Sequence, residues 1–382
     1  MRKVPELRFD GFDREWEEKK LSNIVKVNSG RDYKHLSEGK YPVYGTGGLM
    51  TYVNEFLSDE DSVGIGRKGT INKPQKLEAP FWTVDTLFYS TPIKDYNLDY
   101  IYCIFQRINW LKYDESTGLP SLSKSNINNI RIFNAGIHEQ EKIGNLFKKL
   151  DDLIEIQEGK VSKMEDFKKS MLQKMFPKKD ELVPEFRFDG FDGEWESTKL
   201  SYISNRVTRR NLENQSKLPL TISSEFGLVN QLDYYNNRVA SKDISNYYLI
   251  INGEFAYNKS TSLGAPYGAI KRLDNYENGA LSTLYIVFKI VENNLDFIKY
   301  YFETSLWHKE IYKVSQEGAR NHGLLNIATN DFFSMRIKLP PLAEQEKIGQ
   351  FFKNLDAQID TEKKLLDSYK DMKKSLLQKM FV

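Results

Sequence analysis

The chain is written twice, and this duplication constrains its fold more than any other feature. VPELRFDGFDREWEEKKLSNI, from Val4 to Ile24, returns as VPEFRFDGFDGEWESTKLSYI from Val183 to Ile203, an offset of 179 residues. EQEKIGNLFKKLDDLIEIQ, from Glu139, returns as EQEKIGQFFKNLDAQIDTE from Glu344, an offset of 205. The second offset also relates SMLQKMF, ending at Phe176, to SLLQKMF, ending at Phe381. The copies meet near Lys178, and the second carries about 26 more residues in its middle. Residues 28–90 and 205–280 share no alignable run. Near-identical edges around different middles describe one scaffold holding two different readers.

Each copy runs from a globular stretch of mixed strand and helix signals into a long charged helix. In the first, FWTVDTLFYSTP leads into NLDYIYCIFQRI; in the second, ALSTLYIVFKI leads into NLDFIKYYFE. Leu98, Ile101, Phe105 and Ile108 share one helical face, as do Leu295, Ile298, Phe302 and Leu306. Asn97 and Asn294 are expected N-caps, each followed by an acid, Asp99 or Asp296. These segments are core, as are Trp16 and Trp195. They fold each unit rather than bind a ligand.

The long helices carry a heptad seam. It reads Ile143, Phe147, Leu150, Ile154, Gln157, Val161, Met164, Lys168, Met171, Met175 in the first. In the second it reads Ile348, Phe352, Leu355, Ile359, Glu362, Leu366, Tyr369, Lys373, Leu376, Met380. Both copies break it with a polar residue at the same two places. Two solvated helices, each packed on its own unit, are one reading; helices packed on each other through the seam are the preferred one. A helix of about 38 residues spans roughly 57 Å, whereas Pro177–Val183 reaches about 25 Å when extended. A parallel pair would need a long return, and an antiparallel pair needs none. The fold class expected is α+β: two globular units separated by an antiparallel pair of long coiled-coil helices, a pseudo-two-fold tandem repeat.

Two readers held a fixed distance apart suit a long polymer with a repeating phase, and duplex DNA fits. The balance of 55 basic and 53 acidic residues leaves a formal charge of only +2, so partners are expected to supply part of the phosphate contact. No apolar run approaches the roughly 18 residues that cross a bilayer, and Met1–Trp16 has no secretory apolar core. Cys103 is the single cysteine, which leaves no intrachain disulfide, and the four histidines show no zinc spacing. A reducing cytoplasm is the expected location.

At this point the chain resembles the specificity subunits of type I restriction–modification systems. The resemblance rests on YPVYGTGG (Tyr41–Gly48), GIGRKGTI (Gly64–Ile71), TGLPSLSKSNI (Thr117–Ile127) and LPPLAEQEKIG (Leu339–Gly349), in that order around the duplication. The first copy departs from it at IFNAGIHEQ, which lacks the prolines of the second. The resemblance implies a first target-recognition domain at 1–136, a spacer helix at 137–177, a second target-recognition domain at 178–341 and a second spacer helix at 342–382. It further implies a bipartite double-stranded DNA target, one half per domain, and recruitment of two adenine methyltransferase subunits. Motor-nuclease subunits would join them, and S-adenosylmethionine, ATP and magnesium would belong to those partners, with no cofactor or metal in this chain.

Candidate DNA contacts follow from residue type. Arg67, Lys68 and Thr70 sit in a Gly-flanked loop, with Asn72 and Lys73 close behind. Arginine grips guanine bidentately, and lysine and threonine suit phosphate. In the second copy Tyr257, Asn258, Lys259, Ser260, Lys271 and Arg272 are comparable, as is the basic run ending at Arg209 and Arg210. Arg320 and Asn321 lie in the loop Gly318–His322. Each of these has an alternative as a solvated or structural residue. Tyr41–Gly48 lacks the lysine-serine ending of a P-loop and the GxGxxG spacing, so it is not a nucleotide site.

Three functions compete. A non-catalytic DNA-recognition subunit explains both the edges and the middles. A stand-alone adenine methyltransferase should carry a (D/N/S)-P-P-(Y/F) motif, and Leu339-Pro340-Pro341-Leu342 is not one. A protein-binding coiled-coil adaptor leaves the divergent middles without a purpose.

Overall fold

The structure, a computed structural model, describes residues 3–93, 95–235, 243–262, 264–315 and 325–382. Its compact units do not follow sequence order. One comprises Met1–Lys160 with Glu362–Val382, the other Val161–Thr361. Each unit therefore takes its closing helical segment from the other copy.

In the first unit β1 (Glu17–Lys20), β2 (Val25–Ser29), β3 (Glu38–Gly45), β4 (Gly48–Val53), β5 (Ser62–Gly66), β6 (Gln75–Leu77), β7 (Trp82–Thr83) and β8 (Leu87–Pro92) come first. Helices α1 (Leu98–Arg107) and α2 (Lys124–Asn129), strand β9 (Arg131–Asn134) and the long helix α3 (Ile137–Lys174) follow. The main sheet has the order β2-β8-β5-β6, a second sheet β4-β3-β7, and β1 pairs with β9.

The second unit repeats this plan with β10 (Glu196–Lys199), α4 (Leu200–Ile203), β11 (Ser204–Arg206), β12 (Pro219–Ser223), β13 (Gly227–Asn230), α5 (Gln231–Tyr235), β14 (Tyr248–Ile251) and β15 (Phe255–Asn258). Then come β16 (Ala269–Arg272), β17 (Asn278–Leu281), β18 (Ile286–Ile290), α6 (Leu295–Glu303), α7 (His308–Val314), α8 (Thr329–Ser334), β19 (Arg336–Leu339) and α9 (Leu342–Lys379). Its main sheet, β11-β18-β15-β16, repeats the first unit's order. The register repeats as well: Val63 pairs with Lys76 and Ser90, and Phe255 with Arg272 and Phe288. The other sheet, β13-β12-β17-β14, has one strand more than its counterpart, which takes up part of the longer middle.

The repeated edge motifs are the pieces that close each unit. Phe381 stacks on Tyr100 at 5.5 Å and meets Trp16 edge-on at 5.8 Å. Phe176 stacks on Phe297 at 5.5 Å and meets Trp195 edge-on at 5.9 Å. The QKMF ending of each copy is thus a core plug for the unit built mainly from the other. RFDGFD anchors the start of each long helix: Arg8 donates twice to Glu139 (2.7 and 2.9 Å), and Arg187 twice to Glu344 (both 2.7 Å). Both carboxylates are fully buried, and the forked geometry of guanidinium on carboxylate makes these strong, directional pairs.

The capping asparagines behave as the sequence suggests, accepting from the amides of Tyr100 and Phe297. Each presses on a glycine of the long helix. A Cβ on Gly144 would lie 2.1 Å from the Asn97 Oδ1, and one on Gly349 2.5 Å from the Asn294 Oδ1. That close approach explains the glycine in the repeated EKIG.

The seam positions are buried or half-buried throughout, from Ile143 to Met175 and from Ile348 to Met380. Partners run antiparallel within each unit. In the first, Asp151 meets Lys373, Glu158 meets Lys370 at 2.7 Å, and Gln157 meets Glu362 at 2.6 Å. In the second, Lys168 meets Asp356 at 2.8 Å and Phe167 meets Phe351 edge-on. The polar interruptions of the seam are therefore paired across it rather than left as defects.

Candidate nucleic-acid interface

In the first unit several loops converge at the end of β5. The main chain of Arg67 donates to the Thr86 carbonyl (2.8 Å) and accepts from the Leu122 amide (2.9 Å). Lys68 bridges to Ser121, and Gly69 donates to the Pro120 carbonyl at 2.8 Å. Gly69 holds φ +90°, a left-handed conformation that strains other residues, so GRKGT turns where the glycine stands. The turn leaves the Arg67 and Lys68 side chains exposed, with Asn72 and Lys73 exposed beyond it and Thr70 half-buried. The Arg67 guanidinium lies over the Phe88 ring (5.8 Å) and within 3.4 Å of the Asp85 carbonyl, which aims it without neutralising it.

The second unit builds the same corner at the end of β15. The Leu325 amide donates to the Lys259 carbonyl at 3.0 Å, the counterpart of the Leu122–Arg67 bond. With Val63 matched to Phe255 by register, Lys259 occupies the place of Arg67. Asn258 accepts from the Ser260 amide through its side chain, fixing the turn that carries Lys259. The two candidate cations are thus equivalent positions of one frame, which no alignment of the divergent middles showed.

Other candidates fall elsewhere. Tyr257 is wholly buried, stacked on Phe332 at 4.9 Å, with its hydroxyl donating to the Tyr267 carbonyl. It is a core residue and cannot meet a base. Arg272 is held by Asp274 and by Asp296 (2.8 Å), anchoring the first turn of α6 just as Lys76 anchors Asp99 in α1 at 2.6 Å. Lys271 is half-buried beside Glu303, Lys168 and Lys299, and burial lowers its pKa. Tyr257 and Arg272 are thus structural side chains, not DNA contacts. Sequence alone could not tell them from a loop cluster, because a basic pair at a strand end looks the same whichever way it faces.

Arg209 pairs with the buried Glu254 at 2.7 Å, and Arg210 lies over the Tyr248 ring at 5.0 Å while donating to the Asn246 carbonyl. Both keep solvent-facing surface, but Arg209 stands with Glu254 at the start of β15, the end away from the second corner. Arg320 and Asn321 lie outside the described residues.

One element of the first corner was missed by residue type. The turn between β3 and β4 and the Asp85–Thr86 turn line a shared cleft together with Asp32, Lys34 and Met50. The signal was the glycine-rich YGTGG, set aside as a failed nucleotide loop although glycines equally permit a hairpin tip. No helix among the described residues is long and apolar enough to cross a membrane, and they contain no group of metal-ligating side chains.

The chain matches the family model for the type I restriction modification DNA specificity domain twice, over residues 13–166 and 164–369. It is 24% identical to the specificity subunit of the type I restriction enzyme EcoprrI of Escherichia coli, across 38% of this chain and 39% of that protein. To the specificity subunit of the MjaVIII enzyme of Methanocaldococcus jannaschii it is 23% identical, across 95% of this chain and 91% of that one. A solved type I restriction–modification S subunit from M. genitalium shares the fold, with a TM-score of 0.67 at 15% identity over 99% of both chains. Subunits of this family are non-catalytic, the catalytic activities belonging to other subunits. The chain therefore belongs to the type I restriction–modification specificity subunits, with two DNA specificity domains in tandem.

Proposed function

We propose that the chain reads a bipartite duplex target, one half-site per globular unit, with the long helices setting the unspecified gap. Arg67 and Lys68 contact the first half-site and Lys259 the second, while Asn72, Lys73, Asn258 and Ser260 supply flanking base or phosphate contacts. In the cytoplasm the subunit recruits two adenine methyltransferase subunits through its helices and adjoining faces, and motor-nuclease subunits join them. S-adenosylmethionine, ATP and magnesium belong to those partners.

The observation that carries this reading is the matched pair of backbone bonds, Leu122 to Arg67 and Leu325 to Lys259. One frame presents a cation at one corner in both units, and the loops around that corner differ. Two readers built alike with different loops suit two different half-sites of one polymer. The test is a genome-wide map of methylated adenine in cells with and without the chain, its methyltransferase being present and active. A split motif with a fixed gap that disappears on deletion supports the reading. A map independent of the chain overturns it and leaves the adaptor function.

A further inference from the structure

The hairpin β3–β4 presents an apolar side chain in a cleft that Val84 and the polar Asp32, Lys34, Thr46, Asp85 and Thr86 also line. Met50 is 55% exposed, although a surface thioether gains nothing from water. It rests on the hairpin itself. Its Sδ lies 2.5 Å from where a Cβ on Gly45 would stand, so Gly45 is the seat on which the methionine rests. Gln75 in turn fixes that seat, donating to the Gly45 carbonyl at 2.7 Å. The Asp85–Thr86 turn faces Met50 across the cleft and also binds Arg67, whose amide donates to Thr86 and whose guanidinium reaches Asp85. Met50 and Arg67 thus flank one turn.

We infer that Met50 is a specificity residue of the first unit, packing on the C5-methyl of a thymine next to the base pair read by Arg67. This rests on the proposed DNA-reading function. A two-stranded ribbon fits the major groove, where the thymine methyl is the one apolar mark on a base edge. The neighbours suit that setting. Lys34 supplies positive charge for the phosphates, and the Asp32 and Asp85 carboxylates can accept from a cytosine amino group. The corresponding hairpin of the second unit, β12–β13, carries Phe226 at its tip instead and is closed by the Ser223 hydroxyl accepting from the Glu225 and Phe226 amides. Recognition by Met50 therefore belongs to one half-site only.

The test uses the full chain assembled with its methyltransferase, on duplexes carrying the methylated target. The first half-site is the one that changes when residues 28–130 are exchanged. Replacing its thymines singly by deoxyuridine removes one methyl group each. One such replacement should weaken wild-type binding roughly fourfold, about the worth of one buried methyl group. Met50→Ala should weaken binding to the natural duplex by a similar factor and lose its sensitivity to that deoxyuridine. Arg67→Ala should keep it. The inference fails if no thymine responds, if the first half-site holds no A·T pair, or if Met50→Ala and deoxyuridine act additively. In each of those cases an effect of Arg67→Ala on the first half-site leaves the DNA-reading function standing, whereas binding that ignores sequence altogether removes both.

Discussion

Gln157 donates its side-chain amide to both the carboxylate (2.6 Å) and the main-chain carbonyl (3.0 Å) of Glu362, the residue that holds the same place in the second copy. Lys160 joins the carboxylate at 2.7 Å. A mostly apolar seam here meets itself at its repeat-equivalent position through an unlike polar pair. Such a pair fixes register and partner, since two copies of the second helix would set glutamate against glutamate.

That arrangement has a pH signature. Lys160, and then the Gln157 amide, hold the Glu362 carboxyl below its ordinary pKa. A carboxyl whose folded value is depressed stabilises fully above its unfolded value and loses the contribution as pH falls through the folded one. Glu362→Gln should therefore lower Tm at neutral pH, and the deficit should shrink between about pH 5 and pH 3, which flattens the acid limb. Thermal unfolding across that range checks this, and an unchanged acid limb would contradict it.

The exchanged plugs make a prediction that sequence order would invert. Phe381 ends the second copy but packs on Tyr100 and Trp16 of the first. Phe381→Ala should cost about 3–5 kcal/mol. Hydrogen exchange should show α1 losing protection before α6. Phe176→Ala should do the reverse, exposing α6 first.

The buried anchors should be coupled. Arg8→Ala leaves Glu139 buried without its cation, and breaking such a pair costs about 3–5 kcal/mol. The Trp16 indole also donates to Glu139 at 3.1 Å, so part of the carboxylate's solvation survives. Adding Glu139→Gln to Arg8→Ala should restore some stability in urea unfolding. Strict additivity of the two substitutions would place the carboxylate in water instead.

The corrected and retained cations separate by assay. Arg272→Ala should lower stability by ~1–3 kcal/mol, because it strips Asp274 and Asp296 of a partner. Its half-site preference should be unaltered. Lys259→Ala should leave the melting curve in place and weaken DNA binding, and if the ammonium meets phosphate the salt slope should fall by about 1. The opposite partition would return Arg272 to the interface.

Much of the scaffold was legible because repetition exposes it. The offsets marked both long helices, and the heptad seam named their contact faces down to Gln157 and Lys168. The N-caps Asn97 and Asn294 were readable from residue type and position. The exchange of Phe176 and Phe381 between units was not, since tertiary partners of a helix end leave no local trace. Arg67 and Lys259 were singled out as candidates by residue type, but their equivalence needed the pairing register of β5 and β15. Tyr257 and Arg272 were misassigned for want of knowing which way a strand faces. Met50 was overlooked because an apolar residue carries no nucleic-acid signal until its exposure is known.

One exchange decides whether the two units are independent readers on a shared scaffold. Residues 28–130 contain the first corner but exclude Arg8, Trp16, Glu139 and the helical seam, so a relative's segment can replace them without touching the repeated edges. Adenine methylation mapped with the hybrid chain should show one half-site changed, the other half-site and the gap as before. A change in both half-sites, or in the gap, would contradict independent reading.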